Sequence, residues 1–287
     1  VHMVGMTVDL AGQVALVTGG GGGIGRGIAL SLAEAGADIV LAEIDPQRAE
    51  QTAELIRACD RKVLAVQTDV MDTDQVRNAV ERADSEFGRL DILVNNAGGV
   101  RGGAFVDQSE RSWRRHIDIN LVSMLAATSA AVPLMRRGAQ GGSIVNVSSI
   151  EGTRAAPNFA VYAACKAGML SFTRTMALEL AADGIRVNAI TPDQTVTPGN
   201  HGQRTGPIEE SAFLVREPAL QDAMDRYIPL GREGRISECG TAVAFLCSPL
   251  ASYISGATLP VDGGTWAASG WSRGTEGTWN LGDFPIG

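Results

Sequence analysis

The sequence has no apolar run of membrane length and no secretory leader pattern, so a cytoplasmic protein with no membrane partner is expected. Cysteine is scarce. Cys59, Cys165, Cys239 and Cys247 form no disulfide framework and no metal-ligand spacing, which fits a reducing compartment and no metal. Positive charge is in deficit, with 24 Lys and Arg against 32 Asp and Glu and a net charge of −8. A nucleic-acid or anionic-membrane partner is therefore disfavoured. No repeat or long linker divides the chain, so residues 1–287 are expected to form one domain.

What is present is enough apolar material for a full core, since 45% of the 287 residues are hydrophobic. Strand-like runs at 14–18, 38–43, 62–67, 91–95, 143–148, 186–191 and 257–261 are separated by helical stretches such as 47–59 and 73–87. Alternation of this kind predicts an α/β fold, a doubly wound parallel sheet with helices on both faces.

The first strand runs into Gly19-Gly20-Gly21-Gly22-Gly23-Ile24-Gly25, and a helical pattern follows. Glycines let a backbone approach a diphosphate closely, and the helix N-terminus supplies unpaired N–H groups. Gly20, Gly22 and Gly25 satisfy one dinucleotide spacing, and Gly19, Gly23 and Gly25 another. No Gly-Lys-Ser/Thr follows, which argues against a P-loop. The second strand ends in Glu43, eighteen residues after Gly25. An acid there can accept hydrogen bonds from the ribose hydroxyls of NAD and would repel the 2′-phosphate of NADP. No Arg or Lys occupies the loop before Gly23, so NAD is the expected cofactor. The alternative is a solvent-facing glutamate at a strand end.

Tyr162 and Lys166 are four residues apart, and Ser149 lies thirteen residues upstream of the tyrosine. Positions i and i+4 share a helix face, so the ammonium can lie beside the phenol. Its charge is expected to lower the phenol pKa toward working pH, with Ser149 holding a substrate oxygen.

Thr18 through Gly25, Asp69-Val70, Asn95-Asn96-Ala97-Gly98, Asn120, Ser149, Tyr162-x-x-x-Lys166 and Pro192 through Thr197 occur in this order. Over roughly residues 9–264 the chain resembles the short-chain dehydrogenase/reductase family. The resemblance implies a single Rossmann-like domain with about seven strands and a catalytic tetrad of Asn120, Ser149, Tyr162 and Lys166. It implies that Gly19, Gly22, Gly23, Ile24, Glu43, Asp69, Val70, Asn96, Ala97, Gly98, Tyr162, Lys166, Pro192, Thr195 and Thr197 bind the cofactor. Within that set Asp69 and Val70 meet the adenine, Asn96 to Gly98 the adenosine ribose, and Thr195 and Thr197 the nicotinamide amide. Asn120 kinks its helix and holds a water leading to Lys166, and Lys166 also binds the nicotinamide ribose. A homotetramer or dimer is implied, and two amphipathic helices near 113–137 and 159–182 could pair across a two-fold axis. One departure stands out: Asp193 follows Pro192 where the family usually has glycine.

Residues 193–231 form a long connection, expected to act as a substrate lid. It carries Phe213, Leu214 and Val215, and Leu220, Met224, Tyr227 and Ile228 at the spacing of a short helix. A tail at about 265–287 holds Trp266, Trp271 and Trp279, a pattern that predicts burial against something, such as a neighbouring subunit. The expected substrate is a bulky, mostly apolar or cyclic secondary alcohol or ketone, steroid-like or alicyclic. The alternatives are a 3-oxoacyl thioester reductase and a catalytically silent dinucleotide-binding sensor.

Overall fold

A computed structural model describes residues 7–138, 141–201, 203, 205–209, 217–274 and 277–281. Its elements run β1 (Val14–Thr18), α1 (Gly23–Glu34), β2 (Asp38–Glu43), α2 (Pro46–Ala58), β3 (Val63–Gln67), α3 (Thr73–Phe87) and β4 (Ile92–Asn95). There follow α4 (Glu110–Ile117), α5 (Ser123–Met135), β5 (Gly142–Val147), α6 (Ala160–Glu179) and β6 (Ile185–Pro192). The chain then forms α7 (Pro218–Tyr227), α8 (Ile236–Cys247), β7 (Thr258–Val261), α9 (Thr265–Ala268), β8 (Trp271–Arg273) and β9 (Trp279–Leu281). The expected strands and helices are present with ends shifted by a residue or two, where fraying and caps decide the boundary.

Seven strands form one parallel sheet in the order β3-β2-β1-β4-β5-β6-β7. Apolar runs such as Val-Ala-Leu-Val in β1 are buried throughout because helices cover both faces. One face packs Ile28 and Leu32 of α1, Ile56 of α2 and Val243 and Leu246 of α8. The other packs Val76 and Val80 of α3, Ala127, Ala131 and Met135 of α5 and Ala177 of α6. Each large side chain so buried contributes about 1.5–3 kcal/mol relative to exposure. Helix starts are fixed locally. Asp45 caps α2 at Gln47 and Arg48 with Pro46 in the first turn, and Asp72 caps α3 at Asp74 and Gln75.

Strand order reverses between β1 and its neighbours β2 and β4, which opens a crevice at their carboxyl ends. This is the position where α/β sheets place ligands. One helical stretch bears on the expectation that no segment spans a membrane. The continuous helical stretch Glu110–Met135 is long and apolar enough to span a membrane by length and composition. Ala127, Ala131 and Met135 are fully buried against the sheet, so its apolar character serves the core. In the tail, Trp266, Trp271 and Trp279 of α9 and the β8–β9 hairpin are 54%, 42% and 42% exposed, and Arg273 ties the hairpin to the Pro229 carbonyl.

Candidate active site

The glycine run turns tightly from β1 into α1. Gly23 takes φ +53°, a conformation that costs other residues energy. A Cβ on Gly25 would lie 2.1 Å from the Gly19 carbonyl oxygen, so only hydrogen fits there. The α1 N-terminus has no side-chain cap, leaving its first N–H groups to face the crevice mouth. Across the crevice, the Thr18 hydroxyl accepts from the N–H groups of Asn96 and Ala97, each at 3.0 Å. Asn96 Nδ2 returns bonds to the carbonyls of Thr18 (2.9 Å) and Gly19 (3.2 Å). Asn96 therefore fastens the two walls together.

Glu43 does not face solvent, because it is 7% exposed. Its Oε2 accepts from Gly21 N–H at 2.9 Å and its Oε1 from Asp45 N–H at 3.1 Å. Each oxygen keeps a second acceptor direction, so bracing the glycine loop is compatible with receiving ribose hydroxyls. Asp69 accepts from Met71 N–H in a local turn, and Val70 is buried in the core. A strap from the long connection crosses nearby. Arg48 donates to the carbonyls of Gln203 and Gly206, both at 2.8 Å, and Gly206 N–H donates to Asp45.

A cavity of about 250 Å³ joins this crevice to the expected tetrad. Ile24, Asn96, Gly98, Asn120, Tyr162, Lys166, Asp193, Thr195 and Thr197 all line it. Asn120 sits in a π-helical turn, Asp118–Val122, between α4 and α5. The wide turn frees its amide to bind elsewhere. Nδ2 donates to the Gly99 carbonyl (2.8 Å) and the His116 carbonyl (3.0 Å), while Oδ1 accepts from Gly99 N–H (3.1 Å). A Cβ on Gly98 would lie 2.8 Å from Asn120 Oδ1 and 3.6 Å from Lys166 Nζ, so this glycine keeps the space between them clear.

Tyr162 and Lys166 share one face of α6, and the ammonium lies 5.7 Å from the phenol ring centroid. The Ser149 and Tyr162 side chains are hydrogen-bonded. Lys166 is 3% exposed and its Nζ donates to the Val147 carbonyl at 2.8 Å. The electrostatics correct one expectation. Burial pushes the Tyr162 phenol above its ordinary value, and nearby Glu151 adds to this, while the Ser149 bond opposes them. Burial also brings Lys166 down to about 8. The ammonium is turned to a backbone carbonyl, and burial, not its charge, decides the direction in which the phenol moves.

Asp193 lines the same cavity, and its side chain is only 5% exposed. Tyr227 at the end of α7 donates to Asp193 Oδ2 (3.3 Å) and accepts from Arg154 Nη2 (2.7 Å). Arg154 also pairs with Glu151 at 2.9 Å and approaches Asp193 to 3.7 Å. Burial raises the Asp193 carboxyl, opposed by a bond from Thr265 and by Arg154. Sequence reasoning singled out Tyr227 as apolar lid surface and left Arg154 undirected. The structure places both on one carboxylate. Ile228 is buried and Leu220 is exposed, so α7 presents its apolar residues to the interior only in part. Phe213, Leu214 and Val215 lie outside the described residues. Among the described residues no group of three His, Cys, Asp or Glu side chains could hold a metal ion. The sequence also gave no sign that His116 accepts from Arg101 N–H at 3.2 Å, bracing the loop beside Asn120.

Comparison with known proteins agrees with this geometry. A family model described as enoyl-(acyl carrier protein) reductase matches residues 19–265. The chain is 37% identical over 255 residues to the 3-oxoacyl-acyl-carrier-protein reductase FabG of Thermotoga maritima, covering 89% of this chain and 98% of the relative. It is 39% identical over 256 residues to cis-4-hydroxycyclohexanecarboxylate dehydrogenase of Sinomonas cyclohexanicum, covering 88% and 96%. Among solved structures it resembles a 7α-hydroxysteroid dehydrogenase complexed with NADH and 7-oxoglycochenodeoxycholic acid. There the TM-score is 0.82 with 31% identity, covering 92% of this chain and 98% of that one.

Proposed function

The chain belongs to the short-chain dehydrogenase/reductase family, and on that premise we propose that it is an NAD-dependent oxidoreductase interconverting a secondary alcohol and a ketone. The alcohol is bulky and mostly apolar, with a cyclic or steroid-like frame. The observation that carries this reading is the single cavity on which Asn120, Tyr162 and Lys166 converge with Asn96, Thr195 and Thr197. Ser149 is hydrogen-bonded to the tyrosine at its side.

The donor set fits NAD. The uncapped N-terminus of α1 suits a diphosphate, and Glu43 suits ribose hydroxyls while opposing a 2′-phosphate. Gly19, Gly22, Gly23, Ile24, Asn96, Ala97 and Gly98 form the crevice side, with Asp69 and Val70 at its adenine end and Pro192, Thr195 and Thr197 at the other. When bound, NAD supplies the hydride acceptor at its nicotinamide ring. The chain's own residues position the alcohol and move its proton. Tyr162 as phenolate removes the hydroxyl proton, and Ser149 holds the oxygen as it becomes a carbonyl. Lys166 keeps a positive charge beside the ring, and Asn120 fixes the backbone at Gly99 that borders it. In reduction the same groups return the proton.

The relatives support the substrate class. One is named for a hydroxycyclohexanecarboxylate and another structure holds a 7-oxo bile acid, so both frames are cyclic and both carry an acid group. The FabG relative favours a second reading, a 3-oxoacyl thioester reductase. The net charge of −8 opposes it, because a substrate delivered on an acidic carrier would need a basic docking patch. A silent sensor is disfavoured by the complete tetrad. The whole chain acts as one domain, with 193–231 as its lid, in a reducing cytoplasm.

An NAD-reduction screen over cyclic alcohols, steroids, sugars and hydroxyacyl thioesters tests the reading. The highest kcat/KM is expected on a cyclic or steroidal alcohol, with NAD strongly preferred to NADP. Efficient turnover of thioesters alone would favour the second reading, and equal use of NADP would remove Glu43 from the ribose.

We also propose a homo-oligomer, a tetramer or dimer, built on α5 and α6. Leu125 and Leu178 stand exposed on these helices, Leu178 at 81%, and a second copy would cover them. Sedimentation at micromolar concentration should give a multiple of 30.0 kDa, and monomers alone would refute the assembly.

A further inference from the structure

Four segments of the chain meet at one buried carboxylate. Asp193 follows β6, Tyr227 ends α7, Arg154 follows β5, and Thr265 opens α9. Glu151 joins them through Arg154. Asp193 also borders the cavity that holds Tyr162 and Lys166. Glu151 lies close enough to act on the Tyr162 phenol. This wall therefore carries two carboxylates against one guanidinium. Arg154 is the guanidinium on this wall, and Glu151 at 2.9 Å, Tyr227 at 2.7 Å and Asp193 at 3.7 Å already engage it, while Lys166 in the cavity is turned to the Val147 carbonyl.

Arg154, Tyr227 and Thr265 line an adjoining cavity of about 670 Å³. We propose that Asp193 is a specificity-determining residue that ties Tyr227 and Arg154 to the border between the two cavities, so that the pocket accepts neutral alcohols and rejects those bearing a carboxylate on that side. This rests on the alcohol dehydrogenase reading above. The physical basis is repulsion. A substrate carboxylate entering beside Asp193 and Glu151 would meet like charge from both. To reach Arg154 it would have to displace Glu151 and leave that carboxylate unpaired. A neutral ring meets no such cost, and the Tyr227 ring, with Arg154 5.9 Å from its centre, gives it an apolar surface. Glycine at 193 would remove one of the two carboxylates and untie Tyr227, so a pocket built that way would lack the filter.

The test compares 4-hydroxycyclohexanecarboxylate with its methyl ester as alcohol substrates, with NAD, in the wild type, Asp193→Asn and Asp193→Gly. In the wild type kcat/KM for the ester is expected to exceed that for the carboxylate by at least ~10-fold. Asp193→Asn keeps the shape and removes the charge. It should raise kcat/KM for the carboxylate ~10-fold, mainly through KM, and change the ester by less than ~3-fold. Asp193→Gly should shift the ratio in the same direction, and retained NAD binding shows that each variant is folded. A wild type that favours the carboxylate would overturn the proposal and make Arg154 an anion clamp. Equal effects of Asp193→Asn on both probes would reduce Asp193 to a structural tie and also overturn it. Turnover of the ester without discrimination sinks only this proposal, whereas no NAD reduction with either probe or any other secondary alcohol sinks the enzymatic reading as well.

Discussion

Replacing Tyr162 by phenylalanine should lower kcat for alcohol oxidation by at least ~10²-fold while NAD still binds. The substitution keeps the ring that Lys166 faces and removes only the hydroxyl bonded to Ser149. The pH profile separates loss of the proton acceptor from loss of packing. Burial holds the phenol above its ordinary value, so little phenolate exists at neutral pH. Oxidation needs the phenolate and should rise with pH from neutrality upward. Reduction needs the phenol and should hold level until that same proton is lost. Lys166, whose own value burial brings down to about 8, lies 5.7 Å from the ring centroid and loses its proton on the same alkaline side. In the phenylalanine variant the alkaline rise should vanish. Turnover near the wild-type level, with the pH limb retained, would remove Tyr162 from proton transfer.

The second large effect is expected at Gly25. A methyl group there would stand 2.1 Å from the Gly19 carbonyl oxygen and 2.4 Å from Asn96 Nδ2. Both neighbours are held: Asn96 Nδ2 bonds the carbonyls of Thr18 and Gly19 across the crevice. Gly25→Ala must push the β1–α1 turn away from Asn96 or break those bonds. Overpacking of a tight site costs about 1–3 kcal/mol and sometimes more, and this contact is with backbone, which cannot rotate away. A fall in Tm of about 5 °C is expected, together with a rise of at least ~10-fold in Kd for NAD. Thermal melting and a fluorescence titration with NAD measure both. Unchanged values for the two would mean that the turn does not contact the cofactor and is not packed as described.

The sheet order and the site were legible in the sequence to different depths. β1, the glycine turn and α1 are contiguous, so their pattern alone located the crevice. Tyr162 and Lys166 were legible because a helix sets their spacing, and the matching motifs brought in Asn120 and Ser149. Where the ammonium points was not legible. That depends on the Val147 carbonyl, nineteen residues away on a strand. Asp193 was visible as an unusual residue, but its partners were not. Arg154 and Tyr227 are 73 residues apart in the chain and meet only once β5 and β6 stand side by side. The polar chain from Asn95 to Asn146 to Thr173 was hidden for the same reason. Polar residues in strands and helices read as surface until the sheet pairs them. The three tryptophans of the tail stay partly exposed in the single chain, which leaves them available to a neighbouring subunit.

Deuterium placed on the carbinol carbon of the best alcohol from the screen offers the most direct test of hydride transfer to NAD with Tyr162 as proton acceptor. NMR of the reduced nucleotide should find one deuterium at nicotinamide C4 for each ketone formed, and the Tyr162→Phe protein should transfer it at least ~10²-fold more slowly. Ketone formed while the deuterium is lost to water, or alcohol consumed while NAD stays oxidised, would contradict it.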